Sequence, residues 1–159
     1  MLLLALTSVL FLQAAGGQAA AVRIGGDIPR PVTVTASDLA AMPRTSVTAE
    51  AHDQKGSYEG VSMRELLSRA GVAAGADLRG PELAKTVIVT GADGYRVAFG
   101  IAEFDPGFTD RTAILADRRD GRPLPANAAP FQLIVTGEKR PARWVRQVVT
   151  IEVRSPPKP

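Results

Sequence analysis

Two apolar segments near the end of the chain, separated by a short charged stretch, constrain the fold more than any other feature. Residues 131–135 and 148–153 are rich in β-branched side chains and are bounded by Gly or Pro, which is the pattern of buried strands. The stretch between them, residues 139–146, contains the only tryptophan and four cations, and we call it the basic insert. Its composition fits either an anion-binding site or a solvated turn between strands.

The preceding chain predicts further short strands and few helices. β-forming segments occupy residues 22–24, 32–35, 45–51, 86–90, 95–99 and 112–116. Ser37 is predicted to cap a helix over 38–42, and Ser62 with Glu65 predicts a capping box that begins a second helix. Residues 52–57 are predicted as a turn and 117–127 as a loop. About seven strands with two or three short helices, without βαβ alternation, predict an α+β fold with a mixed, largely β core.

The length and charge of the chain limit its size class and its partners. At 159 residues and 45% hydrophobic composition, one domain with a buried core is expected. The net charge is +3, and residues 137–159 alone hold six basic and two acidic side chains, so the rest is nearly neutral. A nucleic-acid-binding protein spreads its basic residues over a larger face. We therefore expect no nucleic acid partner.

Residues 1–21 predict a cleaved signal peptide. An apolar run to Leu12 is followed by small residues that end in Ala19, Ala20 and Ala21, although no Lys or Arg precedes the run. The run is too short to span a bilayer, so no stable membrane insertion is expected after cleavage. We expect an exported protein, periplasmic or secreted, with its domain at residues 22–154 and a disordered Pro-rich tail at 155–159.

The counts of cysteine and histidine restrict the chemistry. The chain has no cysteine, so it offers neither a disulfide nor a thiolate ligand, and His52 is its only histidine. No calcium loop and no nucleophile with a base is recognisable. His52, beside Glu50 and Asp53, is interpreted either as an exposed turn residue or as a base or single metal ligand. No catalytic or metal-binding residue is assigned.

The order of several segments resembles the sulfite-oxidase-type oxidoreductase molybdopterin-binding domain. These segments are Tyr58-Glu59-Gly60-Val61 followed by Arg64-Glu65-Leu66-Leu67 and Ala70-Gly71-Val72, the Gly91-Ala92-Asp93-Gly94-Tyr95 turn, and the closing block 131–153 with Lys139-Arg140, Arg143-Trp144-Val145-Arg146 and Thr150-Ile151-Glu152-Val153. The resemblance covers residues 32–153. It implies an α+β fold in which a pterin cofactor lies in a cleft, with basic and backbone groups on its phosphate.

The resemblance also implies a cysteine thiolate on molybdenum, which this chain cannot supply. The strand expected to carry that ligand is 45–51, where Ala49, Glu50, Ala51 and His52 stand instead. Export of a folded, loaded molybdenum enzyme would require a twin-arginine signal, and no Arg-Arg pair precedes the apolar run. We therefore expect no cofactor and no molybdenum catalysis, although the resemblance makes molybdopterin a possible cofactor.

The Asp93-Gly94 sequence in residues 91–94 predicts a hairpin turn between the strands 86–90 and 95–99. The candidate binding residues come from this hairpin and from the basic insert. Arginine offers paired donors to phosphate or carboxylate, and tryptophan can stack on a flat ring. The alternative is that Trp144 fills the core while Arg143 and Arg146 face solvent. The predicted cofactor-binding residues are Asp93, Tyr95, Arg96, Lys139, Arg140, Arg143, Trp144 and Arg146.

Three functional hypotheses follow, and whether the protein is an enzyme stays open among them. The first is an exported domain of this fold without molybdenum catalysis, which binds an anionic small molecule or a partner protein. The second is a molybdopterin-dependent oxidoreductase, or a subunit of one, whose metal lacks a protein thiolate. The third is a purely structural or interaction module.

Overall fold

The computed structural model describes residues 20–52 and 54–157 and confirms the predicted α+β class. Within these residues the chain forms ten strands, two α-helices and four short 3-10 turns. The strands are β1 (Ala21–Gly26), β2 (Val32–Thr35), β3 (Thr45–Ala51), β4 (Gln54–Ser62), β5 (Thr86–Gly91), β6 (Arg96–Gly100), β7 (Ala113–Arg119), β8 (Arg122–Pro123), β9 (Gln132–Val135) and β10 (Val148–Arg154), and the helices are α1 (Ala36–Ala41) and α2 (Met63–Arg69).

The strands form two sheets. The first sheet has the order β2-β1-β10-β5-β6, with β1 and β10 parallel and the other pairs antiparallel. The second has the order β3-β4-β7-β8, and β9 also pairs with β7. The basic insert therefore connects β9 of the second sheet to β10, the central strand of the first. This connection brings loops of both sheets to one end of the molecule.

The core follows from the alternation of apolar residues along these strands. In β5 and β10, Val87, Val89, Ile151 and Val153 are fully buried, while their neighbours are partly exposed. β9 is buried at all four of its positions, as expected for a strand enclosed on both faces. One hydrophobic cluster contains residues of both sheets and of both helices. The two sheets therefore belong to a single domain.

The helices are set by capping side chains, and one predicted cap was wrong. Thr35, not Ser37, caps α1: its hydroxyl accepts from the Asp38 backbone N–H at 3.2 Å, and Asp38 accepts in return from the Thr35 N–H at 2.9 Å. The Thr35 hydroxyl also donates to the Asp38 carboxylate at 2.6 Å, and this bond, followed by that from the Thr35 N–H, lowers the pKa of the Asp38 carboxyl. Ser62 caps α2 as predicted, but Glu65 pairs with Arg69 instead of closing the box.

One segment predicted as a turn and one predicted as a loop contain strands. The predicted turn 52–57 is much shorter, since β4 begins at Gln54 and pairs with β3 from Ala51↔Gln54 onward. β7 extends to Arg119 and forms a tight hairpin with β8 inside the predicted loop 117–127. Polar side chains on exposed hairpins produce a turn-like pattern although the backbone is paired. The predicted signal peptide lies almost wholly outside the described residues, and Ala21 begins β1.

Within residues 20–52 and 54–157, no helix has the length and apolar character needed to cross a membrane.

Candidate functional site

An open cleft of about 1070 Å³ lies where loops of the two sheets meet. It is bounded by the end of the β3–β4 hairpin, the β5–β6 turn, the loop that precedes β9, and the basic insert. The β3–β4 hairpin belongs to the second sheet and the β5–β6 turn to the first. The cleft is therefore a product of the tertiary fold and not of any single segment.

Four buried side chains form the inner wall, which we call the cleft floor: Tyr58, Ala128, Gln132 and Trp144. The Trp144 indole donates from Nε1 to the Val135 carbonyl oxygen at 3.0 Å, and its ring meets Tyr58 edge-on at a centroid distance of 5.6 Å. Burial raises the pKa of the Tyr58 hydroxyl above its ordinary value. The floor is thus aromatic, fixed in position and uncharged at neutral pH.

Three exposed cations surround the opening: Lys139, Arg140 and Arg146, which we call the rim cations. None of the three forms an ion pair with a residue that the structure describes. Arg119 also lines the cleft, but it lies 3.3 Å from Asp120 and 5.4 Å from the centre of the Tyr58 ring. The rim cations are therefore the charges available to a ligand.

Two of the acidic residues that line the cleft already interact with other groups of the protein. Glu138 is bonded to Arg143 and lies 3.2 Å from Arg111, so two cations outside the cleft balance its charge. Asp93 accepts from the Tyr95 backbone N–H at 2.9 Å and stabilises its own turn. Glu50 also lines the cleft and shares a smaller neighbouring cavity with Glu138. The surroundings of the rim cations are therefore net positive.

Arg143 has a structural position although it belongs to the same insert. Its guanidinium is bonded to Glu138, donates to Glu103 at 3.0 Å, and lies 4.7 Å from the centre of the Phe99 ring. The hydrogen bond with Glu138, followed by that with Glu103, raises the pKa of Arg143 further above its already high value. Arg143 anchors the insert to the β6 end of the first sheet and does not line the cleft.

The basic insert and the β5–β6 turn are joined by specific contacts. The Tyr95 hydroxyl donates to the Ala142 carbonyl at 2.7 Å, and the Ala92 N–H donates to the Gln147 carbonyl at 2.9 Å. Gly91 is required here, because a Cβ at this position would lie 2.6 Å from the Arg146 carbonyl oxygen. The turn therefore sets the position of the backbone that carries Arg146.

The structure brings six of the eight predicted binding residues to the cleft. Those six are Asp93, Tyr95, Lys139, Arg140, Trp144 and Arg146. Arg96 lies on the edge strand β6 and is exposed away from the cleft, and Arg143 is held in the ion-pair network described above. Whether the six bind a ligand stays a prediction.

Sequence reasoning missed other residues that line the cleft. Tyr58, Arg119 and Gln132 were not among the predicted binding residues, and Pro125, Asn127 and Ala128 lie in or directly after the predicted loop 117–127. A signal did exist for Gln132, since it is the only polar side chain in the run Phe131-Gln132-Leu133-Ile134-Val135. Glu50 and His52 also line the cleft, at the end of the β3 hairpin, and His52 has a positive φ of 52°.

Comparison with known proteins identifies the family. The family model described as the oxidoreductase molybdopterin binding domain matches residues 52–159, more than half of the chain. The chain belongs to this family, as its sequence resemblance implied. Among curated proteins no match was found.

A solved structure shows the same fold. The sulfane dehydrogenase SoxCD from Paracoccus pantotrophus matches with a TM-score of 0.67 and 22% sequence identity, over 84% of this chain and 38% of that chain. At this identity the match establishes the fold alone. The present chain spans well under half the length of that relative.

The cleft fits one part of the cofactor that the family implies. Rim cations around an aromatic floor with one buried amide suit a flat, hydrogen-bonding ring that carries a phosphate. The chain cannot supply a thiolate ligand to molybdenum, because it contains no cysteine. Among the described residues, no group of three His, Cys, Asp or Glu side chains is placed to hold a metal ion.

Proposed function

We propose that the cleft binds an anionic, planar small molecule of the pterin-phosphate class, and that this chain does not perform molybdenum catalysis through a protein thiolate. The observation that carries the proposal is the placement of Lys139, Arg140 and Arg146, free of described ion-pair partners, around a buried aromatic floor. Family membership supports the choice of a pterin. When bound, a pterin supplies the heteroaromatic ring and the anionic arm that this arrangement suits.

The electrostatics of the cleft support an anionic ligand. A phosphate near the rim would gain charge-assisted hydrogen bonds from flexible cations, and Glu138 would not oppose it strongly because Arg143 and Arg111 balance its charge. Since the rim is exposed, screening by salt weakens each contact. We expect micromolar rather than tighter binding, with affinity that falls as the salt concentration rises.

The size of the cleft also suits a small molecule. Its volume of about 1070 Å³ lies just above the usual range of ligand pockets, so a small ligand leaves part of the opening to solvent. Tyr58 and Trp144 supply a rigid apolar wall, as small-molecule sites usually have.

A second function has one observation in its favour. Glu50 and His52 line the cleft at the end of β3, the strand from which the resemblance implies that the metal ligand comes. An oxidoreductase with molybdenum bound to the pterin and to one of these side chains would place its metal there. The first proposal, a ligand-binding cleft, has two further parts. The protein is exported, which the apolar run 1–12 supports, and a partner protein docks on the same rim cations.

The first test measures what the protein contains and what it binds. Molybdenum by mass spectrometry and oxidised pterin by fluorescence are determined on the protein purified from the exported fraction of its own cells. Hydroxymethylpterin phosphate is then titrated into the purified protein by calorimetry. Arg146→Ala is expected to weaken its binding about tenfold, because a charge-assisted hydrogen bond to phosphate is lost.

The control variant is Arg96→Ala, which removes another exposed arginine that does not line the cleft. It should leave the affinity for hydroxymethylpterin phosphate unchanged. Equal effects of the two variants, or no binding by the wild type, would refute the proposed site. Near-stoichiometric molybdenum together with pterin would instead support the second function and direct mutagenesis to Glu50 and His52.

A further inference from the structure

Gln132 is a buried amide whose side chain has no hydrogen-bond partner among residues 20–52 and 54–157. It lies on β9 at 8% exposure, and Asp105 is the only other buried polar or charged residue among those described. Asp105 is satisfied by Arg64 and by the backbone N–H groups of Gly75 and Gly107. The side chain of Gln132 makes no hydrogen bond to any described residue, so no described contact explains its presence in a buried strand.

The amide of Gln132 opens onto the cleft. Gln132 is part of the cleft floor, and the described residues contain no fully enclosed side-chain N or O atom without a partner. The polar atoms of its amide are therefore not fully enclosed, and they are accessible from the cleft. A carboxamide has two N–H donors and one carbonyl acceptor, and all of them are left for whatever occupies the cleft, whether water or a ligand.

Charge is distributed unevenly between the floor and the rim. The floor residues Tyr58, Ala128, Gln132 and Trp144 carry no charge, whereas the rim cations stand at the opening. The one described cation beside the floor is Arg119, next to the Tyr58 ring, and it already pairs with Asp120 at 3.3 Å. A phosphate placed on the floor would therefore lose hydration with little compensation, which is unfavourable. The neutral part of a ligand must therefore lie inside, with its anionic part at the rim.

We propose that Gln132 is the specificity-determining residue of the cleft and forms paired hydrogen bonds with the lactam edge of a heteroaromatic ring whose phosphate lies at the rim. This inference rests on the proposed function and adds the orientation of the ligand and the chemical group that is selected. A carboxamide presents a donor and an acceptor side by side, so it matches the adjacent N–H and C=O of a lactam, much as Gln matches a base edge. A ring without this edge leaves the amide unsatisfied.

The experiment compares two phosphates on two proteins. Hydroxymethylpterin phosphate has the lactam edge, whereas naphthylmethyl phosphate has a fused ring of similar size without ring donors or acceptors. Both are titrated into the wild type and into Gln132→Met, which keeps the length of the side chain and removes the amide. We expect Gln132→Met to weaken binding of the pterin about tenfold or more and to leave the naphthyl compound within about twofold.

A second measurement does not depend on the folding of the variant. Methylation of the lactam nitrogen of hydroxymethylpterin phosphate removes the ring donor, and it should weaken binding to the wild type by a similar factor. Gln132→Met should unfold at the same temperature as the wild type or a higher one, because no hydrogen bond within the protein is lost.

The outcomes separate this inference from the proposed function. If both phosphates bind and Arg146→Ala weakens both, but neither Gln132→Met nor methylation changes the preference for the pterin, the role of Gln132 is refuted while the proposed function stands. If neither phosphate binds the wild type, both are refuted. If Gln132→Met loses affinity for the pterin phosphate but not for the naphthyl compound, the result supports both the proposed function and the role of Gln132.

Discussion

At the scale of single residues, neighbours in the basic insert have different roles. Arg143 is engaged by Glu103, Glu138 and Phe99, whereas Arg146, three positions later, lies at the cleft opening. Both are arginines within one short segment, so composition cannot distinguish them. The difference arises because the 3-10 turn Pro141–Arg143 directs one side chain toward the first sheet. Arg143 is thus a positioning residue for the insert.

Arg143→Met should reduce stability more than it alters ligand contacts. Glu138, whose side chain is only 12% exposed, would keep Arg111 as its one described cationic partner. We expect a loss of about 1–2 kcal/mol in the free energy of unfolding, since hydrogen bonds to charged groups are among the stronger ones and this site is partly screened. Urea denaturation measures the change.

The matched variant for this test is Arg96→Met, since Arg96 forms no described ion pair and is exposed on β6. It should change the free energy of unfolding by less than about 0.5 kcal/mol. Equal losses in the two variants would show that the network around Arg143 does not stabilise the insert.

The residues of the site could be predicted only where they lie close together in the sequence. Lys139, Arg140, Trp144 and Arg146 are clustered in sequence, and that clustering predicted a common site, although Arg143 of the same cluster does not line the cleft. Gln132 lies within an apolar run, and its position at the cleft depends on where β9 begins in the fold. Tyr58 and Arg119 come from strands distant in sequence, so only the sheet register brings them to the site.

At the scale of elements, the β5–β6 turn and the basic insert form one unit. The close approach of the insert to Gly91, together with the two hydrogen bonds from Ala92 and Tyr95, fixes their relative position. The Asp-Gly sequence predicted this turn correctly, but the packing of a second segment against it has no local signal. Similarly, Ser62 was identified as a cap, whereas Thr35 was overlooked because Ser37 follows it closely.

Gly91→Ala should displace the basic insert from the β5–β6 turn. The added methyl group would lie 2.6 Å from the Arg146 carbonyl oxygen, a backbone atom that cannot move alone. We expect a loss of about 1–3 kcal/mol in the free energy of unfolding, as for overpacked sites, and weaker binding of hydroxymethylpterin phosphate because Arg146 is displaced. Thermal unfolding and calorimetry measure the two effects.

Gly25→Ala serves as the control for that substitution. Gly25 lies in β1, and a Cβ there has no atom within 4 Å. This variant should fold with unchanged or slightly higher stability, because alanine restricts the unfolded chain more than glycine does. Loss of binding in Gly25→Ala as well would show that the effect at Gly91 is not specific to the contact with Arg146.

At the scale of the whole molecule, the last strand completes the first sheet. β10 pairs with β1 on one side and with β5 on the other, so it joins the first segment of the domain to the middle of the chain. The sequence predicted β10 as a strand, but its central and partly parallel position could not be inferred from a pattern of alternating residues. Parallel and antiparallel neighbours leave similar apolar runs.

A chain that ends after Gln147 should fail to fold cooperatively. It would lack Val148, Ile151 and Val153, which are 0–1% exposed, and burial of three such side chains contributes about 5–9 kcal/mol. That is comparable to the entire stability of a small domain. Circular dichroism during urea denaturation should show no sharp transition. A native-like transition would contradict the central role of β10.

The comparison chain for this truncation ends after Arg154. It loses only residues 155–159, in which the described contact is a hydrogen bond from the Ser155 N–H to Asp27 at 2.8 Å. Its free energy of unfolding should lie within about 1 kcal/mol of that of the full chain.

The parallel pairing of β1 and β10 also determines how the protein can be attached to a surface. Arg23 lies beside Thr150 and Gly26 beside Val153, so both strands run away from the end that holds Arg146 and the cleft. A seven-residue strand spans about 20 Å, which separates the exit of β10 from the cleft opening by a similar distance. A biotin or affinity handle placed after the last residue therefore holds the protein on a sensor chip with its cleft toward the flowing solution, whereas a handle joined ahead of β1 brings the tether to the cleft end.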